Sequence, residues 1–249
     1  MKSLLKMTWM ESKLFLREPA SAFFTLIFPL MMLFIYGTIF SNAPVPPGSG
    51  SSQNAIGNLI PSFTAMSIGI VGLMPVTITL ATYRENGVLR RLRTTPVHPL
   101  VVMAAQVIVV FIMTVLGVAL LIAAGMSIYH VQFTGNVFSI LAGFLFGSLS
   151  FFGLGFILAS VMPTARTAQI VGMVLLYPML ILSGAGWPRE LMPGAMVKVA
   201  SFLPLTYVVN LLRGLWIGES WGQHITDVIV LAIMFAVGAF VSVKLFRWE

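Results

Sequence analysis

Cysteine is absent from this 249-residue sequence, so neither a disulfide framework nor a thiolate metal site is open to it. Charge is scarce as well. Lys, Arg, Asp and Glu make up 8% of the chain, hydrophobic residues reach 58%, and the mean hydropathy is +0.99. An ordinary soluble domain is about 25% charged. A water-soluble fold of this size could not cover its surface with so few charges, whereas a lipid-facing surface must be apolar. Acid is the scarcer sign, with 7 Asp and Glu against 14 Lys and Arg and a net charge of +7. That balance would suit nucleic acid if the basic residues formed one soluble patch. They lie between apolar runs instead, which argues against a nucleic-acid partner and for membrane topology. No GxxxxGK[ST] phosphate loop occurs, so the chain is not expected to be an ATPase itself, and there is no HExxH metal motif. His98, His130 and His224 all lie outside the apolar runs. Ser183-Gly184 therefore lacks the histidine base that an intramembrane serine protease would need.

Six stretches approach the roughly 20 apolar residues that a membrane crossing requires: 20–40, 59–82, 100–127, 135–162, 167–183 and 228–245. The first five contain no Lys, Arg, Asp or Glu. Prolines inside them (Pro29, Pro75, Pro178) read as kinks, tolerated where neighbours re-satisfy the freed carbonyls. With six alternating crossings, Lys2, Lys6, Lys13, Arg17, Arg84, Arg90, Arg91, Arg93, Arg166, Lys244 and Arg247 fall on one side. The other side receives Arg189, Lys198 and Arg213. The positive-inside rule then makes both termini cytoplasmic and residues 41–58 an external loop rich in Pro, Gly, Ser and Asn. The first apolar run exceeds the roughly 7–15 residues of a signal-peptide core, so it reads as an anchor that stays in place. Proton- or sodium-coupled transporters place ionisable residues within their spans. Here Asp227 and Glu219, at the edge of the sixth, are the nearest acids. An ion-coupled secondary transporter, or a non-transporting scaffold, is the alternative reading.

Two segments carry the functional pattern. In residues 1–18, Lys2, Lys6, Lys13 and Arg17 fall within an arc of roughly 60° on a helix, with Leu4, Met7, Leu14 and Phe15 opposite. Such a helix lies along a membrane with its basic face toward lipid phosphates or an acidic partner. Residues 83–99 (YRENGVLRRLRTTPVHP) form the long charged segment inside the chain, between the second and third apolar runs. Pro96 ends any helix begun there.

The order Arg84-Glu85, Gly87, then Leu89-Arg90-Arg91-Leu92-Arg93-Thr94-Thr95-Pro96, resembles the ABC-2 type permease family, the transmembrane subunits of bacterial ABC exporters. A second stretch agrees: Leu182-Ser183-Gly184, Trp187-Pro188, Leu191-Met192-Pro193, Pro204-Leu205-Thr206-Tyr207 and Leu211-Leu212-Arg213-Gly214. The resemblance implies an all-α polytopic membrane protein with six spans, working as a dimer, homomeric or heteromeric. It implies a separate ABC ATPase subunit that holds ATP and Mg, docked by the interfacial helix and by a coupling segment at residues 84–96. This chain itself would bind no cofactor. Coupling would fall to Arg84, Glu85, Gly87, Arg90, Arg91, Arg93 and Pro96. Residues 187–216 would form two short helices, roughly Trp187–Ala200 and Pro204–Trp216, that dip into the outer leaflet without crossing. Ser183, Gly184, Pro188, Pro204, Tyr207 and Arg213 mark that segment. Export of an amphipathic drug, lipid or glycan across a bacterial cell membrane is the implied activity.

Overall fold

The structure of the chain, a computed structural model, describes residues 2–41, 52–88, 99–187, 189 and 192–245. Among them every regular element is a helix. Helix α1 (Lys2–Arg17) is followed by α2 (Pro19–Ala22), a π-turn (Phe23–Ile27) and α3 (Phe28–Ser41), which together give the first span, Pro19–Ile39. Helices α4 (Ser52–Leu73) and α5 (Pro75–Glu85) make the second, Ile56–Glu85. The third and fourth lie within α6 (Pro99–Ile128) and α7 (Val137–Val161), and the fifth is α8 (Ala165–Leu182). Helices α9 (Gly194–Ala200) and α10 (Pro204–Ile217) form a pair bent by 100°. A 3-10 turn (Trp221–His224) leads into α11 (Ile225–Leu245), the sixth span. Among the described residues, six helices are thus long and apolar enough to cross a membrane.

Local breaks follow from proline chemistry. Pro29 has no N–H for the Thr25 carbonyl, and its ring crowds that carbonyl. The chain answers with one wide turn, in which Phe28 N–H reaches Phe23 O. Gly117 of α6 fits against the freed group, since a Cβ there would stand 2.6 Å from Thr25 O. Pro75 likewise divides the second span at Met74. Pro61 and Pro178, in contrast, lie inside continuous helices.

The second span is the buried centre of the bundle. Its α4 half packs against α3, α6, α7, α8 and α10, and Ile60, Phe63, Met66, Ile68 and Leu73 are fully buried. Two buried hydroxyls of α4 are satisfied within the helix: Thr64 Oγ1 donates to Ile60 O at 2.8 Å, and Ser67 Oγ to Phe63 O at 2.9 Å. The outer spans keep broad apolar faces exposed, with Ile35 on the first, Val174 and Ile181 on the fifth, and Ile233 and Phe240 on the sixth. In water these would aggregate; in lipid they are solvated. Close approach along the fourth span depends on glycine. A Cβ on Gly147 would stand 3.2 Å from Val208 of α10, and one on Gly153 would stand 3.3 Å from Gly238 Cα of α11. The Gly143/Gly147 spacing therefore serves packing within the chain.

Candidate functional site

At the end of the bundle that carries α1, three tethers gather. Lys6, Lys13 and Arg17 project outward, and Lys13 Nζ stands 5.0 Å from the centroid of the exposed Trp9 ring. The opposite face is less simple than the sequence suggests, since Leu14 is exposed. Among the described residues of α1, Glu11 and Phe15 are the buried ones. Glu11 Oε1 accepts a 2.5 Å hydrogen bond from Tyr83 Oη, which ties α1 to the end of the second span. Burial pushes the Glu11 carboxyl above its ordinary range, and the Tyr83 bond opposes this in part.

The next two residues turn the other way. Arg84 Nη1 donates to Ser160 O at 3.3 Å, placing the guanidinium at the negative end of α7. Its Nη2 is buried without a partner among the described residues. Glu85, exposed, accepts from Ala165 N at 2.9 Å. That N–H is one of the orphan donors at the start of α8, where Thr164 Oγ1 also accepts from Thr167 N. Glu85 thus caps the fifth span. Gly87 then closes the helix at φ +65°, a left-handed conformation that glycine adopts freely. A Cβ there would meet nothing within 4 Å, so backbone conformation alone makes this position a glycine. Arg90, Arg91, Arg93 and Pro96 lie outside the described residues, as do Pro188 and the side chain of Lys2.

At the opposite end the chain turns inward between the fifth and sixth spans. Ser183 and Gly184 end α8; Ser183 Oγ accepts from Ala185 N, and Gly184 sits at φ +87°. The first dipping helix, α9, is shorter than the expected Trp187–Ala200, because it starts only after Pro193, which can end a turn but cannot continue one. Pro204 starts α10 at a position where no N–H is needed. Thr206 Oγ1 donates to Ala200 O and Tyr207 Oη to Ser201 O, each at 2.6 Å, satisfying carbonyls that the bend leaves open. Leu205 reaches the level of Gly69, near the middle of the second span, where a Gly69 Cβ would stand 3.1 Å from Leu205 Cδ1. The far end of α10 returns to the surface beside the 129–136 loop, where Gly218 lies close to Thr134. Arg213 Nε donates to Ser62 Oγ at 2.7 Å and fastens α10 to the second span.

A polar relay beside it went unread in the sequence. Arg189 Nη1 donates to Asn210 Oδ1 at 2.9 Å, and Asn210 Nδ2 to Asp227 Oδ1 at 3.4 Å. His224 stands between two acids, Nδ1 2.9 Å from Asp227 Oδ2 and Nε2 2.7 Å from Glu219 Oε2. With a carboxylate oxygen facing each ring nitrogen, the arrangement suits an imidazolium. Asn210, Arg213 and Gly214 at i, i+3 and i+4 were the available signal for a shared polar face.

A helical bundle open to lipid on its outer spans, basic at one end and re-entrant at the other, is a multi-pass membrane protein. A model of the ABC-2 type transporter family matches residues 2–216, and the chain belongs to that family. Among similar proteins is YbhR of Escherichia coli K12, described as a "probable multidrug ABC transporter permease". It is 24% identical over 163 residues, which is 65% of this chain and 44% of YbhR. Nodulation protein J of Rhizobium leguminosarum bv. viciae is 31% identical over 99 residues, 40% of this chain and 38% of that protein. The inner membrane transport permease YhhJ of Escherichia coli K12 is 23% identical over 200 residues, 77% of this chain and 50% of YhhJ. The matched regions thus span half or less of these relatives' length.

Proposed function

We propose that this chain is the membrane subunit of an ATP-driven exporter, seated in a bacterial cell membrane with both termini cytoplasmic. It pairs with a second permease subunit and docks separate ABC ATPase subunits, which supply ATP hydrolysis with Mg. Its cargo is an amphipathic drug, lipid or glycan, carried outward. The observation that carries this reading is the tethering around residues 83–85. Tyr83 holds α1, Arg84 holds the end of the fourth span and Glu85 holds the start of the fifth. A force applied to the coupling segment at 84–96 would therefore reach four elements at once. The relatives described as transport permeases support transport, and the one described as a probable multidrug permease supports a drug among the candidate cargoes.

The test is purification from native membranes. The chain alone should hydrolyse no ATP, and the intact assembly should hydrolyse it through a second polypeptide. Replacing Arg90 and Arg91 together by Glu should release that polypeptide while leaving the chain in the membrane. Hydrolysis by the isolated chain, or an unchanged assembly in the double variant, would overturn the proposal.

A further inference from the structure

From the crevice enclosed by α1, α5 and α6 at the cytoplasmic end we infer a binding site for an organic cation with an apolar body, with Glu11 as its counter-charge. The cavity measures about 470 Å³ and lies beside the bend from α1 into the first span. Phe15, Pro75, Ile78 and Val109 supply apolar wall. Glu11, Thr79, Tyr83 and Gln106 supply the polar part, and Gln106 Nε2 already donates to Thr79 Oγ1 at 3.3 Å. Besides Glu11, the ionisable groups lining the crevice are Tyr83 from α5, Arg17 at the end of α1 and Glu18 just after it. With both acids ionised and Arg17 protonated, the lining carries a net charge of one negative, which a monovalent cation neutralises.

Glu11 is the residue that packing leaves unexplained. It is 6% exposed and, among the described residues, accepts one hydrogen bond, from Tyr83. A carboxylate offers about four acceptor sites, and a buried one that is so poorly satisfied is costly. Tethering α1 needs no charge, because glutamine would accept the same bond. A bare metal ion is a poor occupant, since hard cations demand about six oxygen ligands and the crevice offers one buried carboxylate. A diffuse organic cation needs a single counter-charge, apolar wall for its body and access from the inner leaflet. The crevice has the first two, and its opening beside the exposed Leu14 of the interfacial helix gives the third. Burial pushes the Glu11 carboxyl above its ordinary range, so the counter-charge is lost, and cation binding weakens, as pH falls through that raised range.

This names a cargo class for the exporter, and it rests on that reading only for what happens after binding. The full chain in lipid nanodiscs, without ATPase, is titrated with tetraphenylphosphonium, and with tetraphenylborate as its near-isosteric anion. Saturable binding of the cation is expected, weaker by about tenfold or more in Glu11→Gln. Ile78→Trp, which fills the crevice and leaves the charge alone, should weaken it as well. Lys198→Gln at the far end should not change it, and affinity should fall as pH is lowered. No saturable cation binding, equal affinity in Glu11→Gln, or equal binding of tetraphenylborate overturns the assignment. Normal Glu11-dependent binding without ATP-driven transport would instead overturn the exporter reading alone.

Discussion

Glu11 and Glu85 are both acids near the end of the bundle that carries α1, yet their surroundings give them different energetics. Glu11 is buried and its pKa is raised, so between the ordinary and the raised value the folded chain binds more proton than the unfolded chain. Stability is therefore lost as pH rises from the ordinary value of 4.5 through the raised one. Glu11→Gln removes that loss and keeps an acceptor for Tyr83. Its thermal midpoint should match the wild type near the ordinary carboxylate range and exceed it at neutral pH. A constant difference across pH would mean that the carboxyl is not perturbed. Glu85 is exposed and acts as a cap. Glu85→Ala should cost about 0.5–1 kcal/mol in unfolding measurements and Glu85→Gln less, since an acceptor for Ala165 N–H remains. Equal costs would show that charge matters more than the hydrogen bond. The basic arc of α1 was legible in the sequence because four like charges at helical spacing reinforce one another. Glu11 lies about 150° from that arc and was passed over. A single acid on an apolar face gains its meaning from Tyr83, 72 residues away.

The bent pair α9 and α10 shows how a short sequence element can be read while its extent cannot. Pro204-Leu205-Thr206-Tyr207 carries its own mechanism, with proline at the first helical turn and two hydroxyls folded back on the carbonyls of the bend. The start of α9 was placed too early because apolar composition continues through Trp187, while the helix waits for Pro193. The relay through Arg189, Asn210, His224 and Asp227 was hidden for another reason: it joins residues from four segments, the stretch before α9, α10, the 3-10 turn and α11. Packing of α10 depends on the glycines of the fourth span. Gly147→Leu should press on Val208 and destabilise the protein by about 1–3 kcal/mol in unfolding measurements. Gly194→Ala, whose Cβ would meet nothing within 4 Å, should cost nothing. If both were neutral, the α7–α10 contact would not be a packed interface.

For the whole molecule, the six spans could be read from length and charge, since each apolar run is long enough and almost uncharged. Their arrangement was not legible. Nothing in hydropathy alone marks the second span as the centre, whereas its small and hydroxyl residues (Gly57, Ser62, Ser67, Gly69, Gly72) do so once packing is seen. The central claim is that this bundle is driven by a separate ATPase docked on its cytoplasmic end. The most direct measurement is site-specific photocrosslinking in native membranes, with the reactive side chain placed at Arg91 and, as a control, at Gly48, between the first and second spans in sequence. The account expects an adduct from Arg91 to one polypeptide that carries a phosphate-binding loop, and none from Gly48. No ATPase adduct from Arg91, or the same adduct from both positions, would contradict it.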